Sequence, residues 1–303
     1  MRGQRGASSR TDADNPASRL AKQNHDTSNS EARGYFRDRV VLVTGASSGI
    51  GRDVALRFSE MSAKVAVLAR RKPLLDELAH EIESHGGSAL VLPADVTKRA
   101  EVYEAVERTL KDFGRIDVLV NSAGIMTSDP VESMKPRDLE RMMAVNLLGT
   151  LHAMQAVLPS MRGAGSGNIV NIGSLAGRRG MTPLGGYAAS KFALVGLTEA
   201  LRVELFRSGV KASLVMPGVV DTELGRAKSG DVPPSPGLAQ AMRAMPVRWV
   251  TWAVIAAVVL GLAEVDVPPG AAVAEKLASL FPGLTDAVLA LGTQFVEWIG
   301  KRG

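Results

Sequence analysis

The run Tyr187-Ala188-Ala189-Ser190-Lys191 sets a phenol and an ammonium at i and i+4, on one face of a helix. An ammonium beside a phenol stabilises the phenolate and lowers a reference pKa of about 10. A shift of about three units corresponds to roughly 4 kcal/mol and would poise Tyr187 to give or take a proton near neutral pH. The spacing alone is common and mostly structural. It gains weight from the polar residues that accompany it, Asn121-Ser122-Ala123-Gly124, Asn146 and Ser174.

Residues 40–51, VVLVTGASSGIG, read as a strand, a glycine turn and a helix start. Gly45, Gly49 and Gly51 are spaced G-x3-G-x-G, which is not the common G-x-G-x-x-G fingerprint, but the physics is shared. Glycines let the backbone approach a pyrophosphate, and a helix start offers unpaired N–H groups and a positive dipole end. Ser47 and Ser48 add hydroxyl donors, with Ile50 beside them. The competing reading is tight strand–helix packing. At the end of the second strand, where a carboxylate would hold the ribose 2′-hydroxyl of NAD, the chain has Ala69-Arg70-Arg71-Lys72. A guanidinium fork matches a phosphate, so this turn favours NADP over NAD. The alternative is a solvated basic turn.

Other chemistries are excluded by composition. The 303 residues contain no Cys, which removes disulfides, thiolate metal sites and a cysteine nucleophile. Four scattered histidines, His25, His80, His85 and His152, give no basis for a histidine-built metal site or a Ser-His triad, and no metal is expected. The net charge is +5, but residues 1–40 carry eight basic and five acidic side chains, so little excess remains elsewhere. No Lys/Arg stripe suggests nucleic acid as a partner.

The elements that must hold these residues alternate. Apolar, β-branched runs at Val40–Thr44, Lys64–Ala69, Ala89–Pro93, Ile116–Asn121, Asn168–Ile172 and Val210–Met216 predict strands covered on both faces. Helical periodicity fills Gly49–Glu60, Pro73–His85, Lys98–Phe113, Arg137–Met161 and Gly186–Arg207. This rhythm predicts an α/β fold, a single-domain, Rossmann-like, doubly wound parallel sheet in three α/β/α layers. Residues 1–36 are polar and of mixed charge, with no apolar stretch of a secretory signal, and predict a disordered tail on a cytoplasmic protein. Residues 37–268 are assigned to the catalytic domain, in which the Pro- and Gly-rich segment 223–248 is a lid insertion. Trp249–Ala263 carries no charge, but its 15 residues would span about 22 Å, which favours a buried helix over a membrane span. A further strand is expected at Glu264–Val267. Residues 269–303 form a C-terminal helical extension of two amphipathic segments, Ala271–Leu280 and Leu284–Ile299. Leu284, Val288, Leu291, Phe295 and Ile299 make a stripe that can dock on the domain, a partner subunit or a membrane surface.

Between Val40 and Thr222 the chain resembles the short-chain dehydrogenase/reductase family. Thr44-Gly45-x-x-x-Gly49-x-Gly51 is similar to the family's glycine motif, and Asp95-Val96 to its adenine-contacting pair. Asn121-Ser122-Ala123-Gly124 resembles its N-N-A-G, with Ser at the second position. Asn146, Ser174, Tyr187 and Lys191 match the catalytic tetrad in order and spacing. Pro217-Gly218-Val219-Val220-Asp221-Thr222 resembles the segment that contacts the nicotinamide amide. The resemblance implies that Tyr187 exchanges a proton with the substrate oxygen as hydride moves. Lys191 would bind ribose hydroxyls and depress the tyrosine pKa, Ser174 would bond the substrate oxygen, and Asn146 would hold a water feeding protons to Lys191. It also implies a small-molecule substrate and a homodimer or homotetramer. Met126, Leu175, Met181, Leu184, Leu238, Met242 and Met245 favour a hydrophobic carbonyl or alcohol, with ordinary lid packing as the alternative. Arg178 and Arg179 could meet an acidic substrate but are read as solvated. The rival function is a dinucleotide-binding regulatory or membrane-peripheral protein without turnover, against which the four intact tetrad positions argue.

Overall fold

The computed structural model describes residues 34–226, 244–288 and 290–291. The polar tail, most of the lid insertion with Leu238 and Met242, and the final stretch with Phe295 and Ile299 lie outside the described residues.

Seven parallel strands form one sheet in the order β3-β2-β1-β4-β5-β6-β7. They are β1 (Val40–Thr44), β2 (Lys64–Ala69), β3 (Ser88–Pro93), β4 (Val118–Asn121), β5 (Gly167–Ile172), β6 (Val210–Pro217) and β7 (Glu264–Val267). The helices are α1 (Gly49–Glu60), α2 (Lys72–Ser84), α3 (Arg99–Phe113), α4 (Pro136–Met143), α5 (Gly149–Gly163), α6 (Gly185–Glu204), the short α7 (Glu223–Arg226), α8 (Val247–Leu260) and α9 (Ala271–Leu280). The chain is a Rossmann-like α/β fold, as its alternating pattern implies.

The unbroken apolar strands follow from burial on both faces. In β1, Val41 and Val43 join α1, α2 and α8 in one core layer, through Val54, Leu75, Leu78 and Val254. Val40 and Leu42 point the other way, into a second layer with Val102 of α3, Met154 and Val157 of α5 and Leu201 of α6. Reversal of strand order on either side of β1 opens a crevice beyond the strand ends, where ligands bind in such sheets.

Three departures from the expected elements have local causes. β4 starts at Val118 rather than Ile116, because the Asp117 carboxylate turns to accept the Val40 N–H at 2.9 Å and pairs with Arg115. The helix expected over Arg137–Met161 is α4 and α5 joined by a π turn, Ala144–Leu148. The helix expected to reach Arg207 ends at Glu204, and Arg207 adopts φ +64°. The uncharged segment is α8, with Val250, Val254 and Val258 at most 1% exposed and packed against α1 and the sheet. By length and composition the run Pro136–Gly163 could cross a membrane, yet it packs against α3, β4 and β5.

After β7, α9 and the helical residues 282–288 leave Leu277, Leu280, Phe281, Leu284, Val288 and Leu291 between 59% and 67% exposed. The described part of the stripe is therefore not buried among the described residues. For α8, removing two methyl groups from a fully buried position costs far more than trimming an exposed one. Val254→Ala should destabilise the chain by about 2 kcal/mol, whereas Leu260→Ala, at a site 67% exposed, should stay within about 0.5 kcal/mol. Urea unfolding of the two variants checks this, and equal losses would contradict the packing assigned to α8.

Candidate active site

The crevice is closed at its base by contact between the segments that follow β1 and β4. The Thr44 hydroxyl accepts the N–H groups of Ser122 and Ala123 at 3.2 and 3.3 Å. Gly45 has φ +68°, and a Cβ there would lie 2.6 Å from Ala123 Cα, so no other residue fits. A Cβ on Gly51 would lie 2.5 Å from the Gly45 carbonyl, which makes this glycine a packing requirement between α1 and its own turn. The packing reading of the glycine motif therefore holds, and the same residues also shape the crevice.

The cleft is lined by the turn residues Gly45, Ser47, Ser48, Gly49 and Ile50. Arg70 and Arg71 line it after β2, Asp95 and Val96 after β3, Ala123 and Gly124 after β4, and Thr222 after β6. Ser48 does not cap α1 with its side chain, leaving the first turn open toward a ligand. Burial works to raise the Asp95 carboxyl, but bonds from the Thr97 N–H and hydroxyl, with Arg70 and Lys98 nearby, hold it below its ordinary range. Arg71 reaches Ser47, Ser48 and Glu223, whereas Arg52 is paired with Glu81 on α2.

Other predicted residues sit behind the lining. Asn121 is buried and donates to Asn171 Oδ1 at 2.9 Å, and Asn171 donates in turn to Thr198 at 2.9 Å, a polar chain tying β4 to β5 and α6. Val220 is buried and bridges to Met245. Gly218 donates its N–H to Val267 at 2.8 Å, which fixes Pro217 and the end of β6 against β7.

The four polar residues singled out in the sequence are all buried, between 0% and 8% exposed. Asn146 sits in the π turn, a geometry often found at functional sites. Its Nδ2 donates to Ile125 O and Ser190 Oγ, both at 2.9 Å, and its Oδ1 accepts the Ile125 N–H at 2.8 Å. One amide hydrogen is thus committed to the segment after β4 and the other to Ser190 on α6, which leaves no side-chain N–H for the water implied by resemblance. Ser174 caps a short 3₁₀ turn by accepting the Ala176 N–H at 3.1 Å.

Tyr187 and Lys191 lie one turn apart on α6, with Lys191 Nζ 5.7 Å from the phenol ring centroid. The expected depression of the phenol is absent. Burial pushes Tyr187 up to about 12, offset in part by the Ser174 hydroxyl, and burial pulls Lys191 down to about 8. The ammonium contributes little because it donates to the Ile172 carbonyl at 2.8 Å and is itself desolvated. Around the phenol, Met142, Ala176 and Ala188 are buried, with Met126, Met181 and Leu184 packed on them.

An adjoining cleft is walled by Ile125, Met126, Thr127 and Leu224, with Asp138 and Arg141 at its polar side. Leu175 and Met245 serve the core. Arg178 and Arg179 are only partly exposed, and both are paired. Arg178 pairs with Glu264 and Glu199, and Arg179 with Asp286, so both pin the segment after Ser174 to later parts of the chain. The sequence reading missed Glu223, Asp138 and Asn171. Of these, only Asn171 left a signal, a polar side chain inside an apolar strand.

The profile of the short chain dehydrogenase family matches residues 39–232. The chain belongs to this family of oxidoreductases. An oxidoreductase of uncharacterised activity from Staphylococcus saprophyticus is 41% identical over 197 residues, which are 65% of this chain and 82% of that protein. One from Staphylococcus aureus is 37% identical over 190 residues, 63% of this chain and 81% of the other. Among solved structures, a short-chain dehydrogenase/reductase from Burkholderia phymatum in complex with NAD has a TM-score of 0.74 at 26% identity, covering 82% of this chain and 95% of that one. A gluconate 5-dehydrogenase from Burkholderia cenocepacia in complex with NADP and tartrate has a TM-score of 0.67 at 32% identity, over 73% of this chain and 88% of the other.

The buried ammonium leaves a mark on stability. Between about pH 8 and 10 the unfolded chain holds the Lys191 proton more tightly than the folded one, so raising pH stabilises the fold by up to about 1.4 kcal/mol per unit. Tyr187 opposes this only above about pH 10, where the unfolded phenol ionises first. Lys191→Met should remove the rise. Urea titrations across this range should show the difference between native chain and variant growing in favour of the native chain, and a flat difference would show that Lys191 is not desolvated.

Proposed function

We propose that this chain is an NADP(H)-dependent oxidoreductase interconverting a hydrophobic carbonyl compound and its alcohol, with Tyr187 as general acid and base. The observation that carries the reading is the Tyr187–Ser174–Lys191 group, buried together in a dinucleotide-type fold whose cleft ends in a basic turn. The residues present fit a nicotinamide dinucleotide: a glycine turn with serine hydroxyls, an uncapped helix start, and Arg70 with Arg71 directly after Ala69, the position where a carboxylate would select NAD. Such a cofactor, when bound, supplies or accepts the hydride. One solved relative is a complex with NADP and another a complex with NAD, which supports the class of cofactor.

Within this scheme Tyr187 keeps its proton in the folded chain and can give it to a carbonyl oxygen. Ser174 shares that oxygen and fixes its position. Lys191 has used one donor on Ile172 O and retains two for ribose hydroxyls. Asn146 acts as a positioning residue for Ile125, which lines both clefts. The apolar walls from Ile125, Met126 and Leu224 suit a substrate with a hydrophobic body. Leu148 and Phe192, each 45% exposed on the two long helical runs, fit the homodimer or homotetramer reading.

Tyr187→Phe removes a proton and little volume. It should leave NADPH affinity within about twofold while lowering kcat by at least about a hundredfold. Near-normal kcat with a good substrate, followed by nicotinamide absorbance, would end the assignment. Cofactor choice has its own test. A charge-assisted bond to phosphate contributes about 1.5–3 kcal/mol, so kcat/KM should favour NADP(H) by at least about tenfold. Ala69→Asp combined with Arg70→Ala should reverse the order, mostly through KM. Equal use of both cofactors by the unaltered chain would refute the preference.

A further inference from the structure

Arg71 spans the mouth of the cleft lined by the glycine turn. Its Nε and Nη2 donate to Ser47 Oγ at 3.2 and 3.0 Å, its Nη2 also to Ser48 Oγ at 2.7 Å, and its Nη1 to Glu223 Oε2 at 3.1 Å. Glu223 follows Thr222 and opens α7, so this ion pair joins the turn after β2 to the segment after β6. Arg70, next in sequence, lines the same cleft and forms no ion pair among the described residues. The two basic side chains of the turn are therefore not equivalent.

We propose that Glu223 is a specificity-determining residue for the cofactor, holding Arg71 in competition with the 2′-phosphate of the dinucleotide. This rests on the NADP(H) reading above. A phosphomonoester carries about −1.5 to −2 charges and seeks the same guanidinium fork that the carboxylate holds. A dinucleotide without the phosphate leaves the Arg71–Glu223 pair in place. A phosphorylated one gains Arg71 only by displacing a like-charged group, so its advantage is the difference between two ion pairs. The serine hydroxyls are neutral and add no repulsion. Both partners of the pair are about half exposed or more, at 48% and 63%, so the exchange is cheap and the residue tunes the preference without blocking it.

The test is calorimetric binding of 2′,5′-ADP and of ADP to the full chain and to Glu223→Gln, Arg71→Met and the double variant. Glu223→Gln keeps the shape and removes the charge. It should tighten 2′,5′-ADP about three- to fivefold and ADP less than about twofold, with the gain shrinking at high salt. In the Arg71→Met background the gain should vanish, since the coupling runs through that side chain. An unchanged ratio of the two affinities, or a gain that persists without Arg71, overturns the role of Glu223. A native chain that binds ADP as tightly as 2′,5′-ADP overturns the NADP(H) reading itself, which is a separate result. Unfolding midpoints of the variants establish that they fold.

Discussion

The close crossing of the segments after β1 and β4 is the constraint on which the rest of the site depends. One threonine hydroxyl, on Thr44, satisfies two backbone N–H groups of the neighbouring segment, and Gly45 lets the two chains meet at a distance no side chain permits. That contact fixes the floor of the cleft, so Ala123 and Gly124 face the glycine turn across a set gap. From Gly124 the chain passes to Ile125, which Asn146 grips by both backbone polar groups. The π turn that carries Asn146 also feeds α5, packed under β4 and β5. The glycine-turn cleft, the adjoining cleft and the core are thus linked by short-range bonds through one stretch of backbone.

Against this ordered frame, the buried pair on α6 is under electrostatic tension. Desolvation disfavours the charge on Lys191 and on an ionised Tyr187 at once, and a single carbonyl compensates the ammonium. Groups of this kind weaken a fold, and they recur where chemistry is done. The Asn121–Asn171–Thr198 chain lies one layer deeper and is paired along its length, so it holds the sheet and α6 in register without such a cost.

The architecture was legible because its cause is periodic. Strands covered on both faces must be apolar throughout, and Val40–Thr44 and Lys64–Ala69 show this without ambiguity. The glycine turn and the Tyr-Lys spacing were legible because each is a local pattern. What escaped the sequence depends on contacts between distant segments. Asp117 shortens β4 only because Val40 lies beside it, 77 positions away. The π turn has no compositional mark. Glu223 looked like the first residue of a loose insertion, and its partner is 152 residues upstream. The Tyr187 proton affinity depends on how deeply α6 is covered, which spacing cannot express.

The ionic ties on the segment after Ser174 separate two lines of variation. Arg178 reaches Glu264 on the last strand, and Arg179 reaches Asp286 beyond α9, so the wall beside Tyr187 is anchored in parts of the chain remote from the glycine turn. Substitutions in the C-terminal region can shift that wall while leaving Tyr187, Lys191 and the cleft floor in place. In a lineage of such proteins, the end of the chain is the region whose variation can reshape the surroundings of Tyr187 at little cost to the rest of the fold.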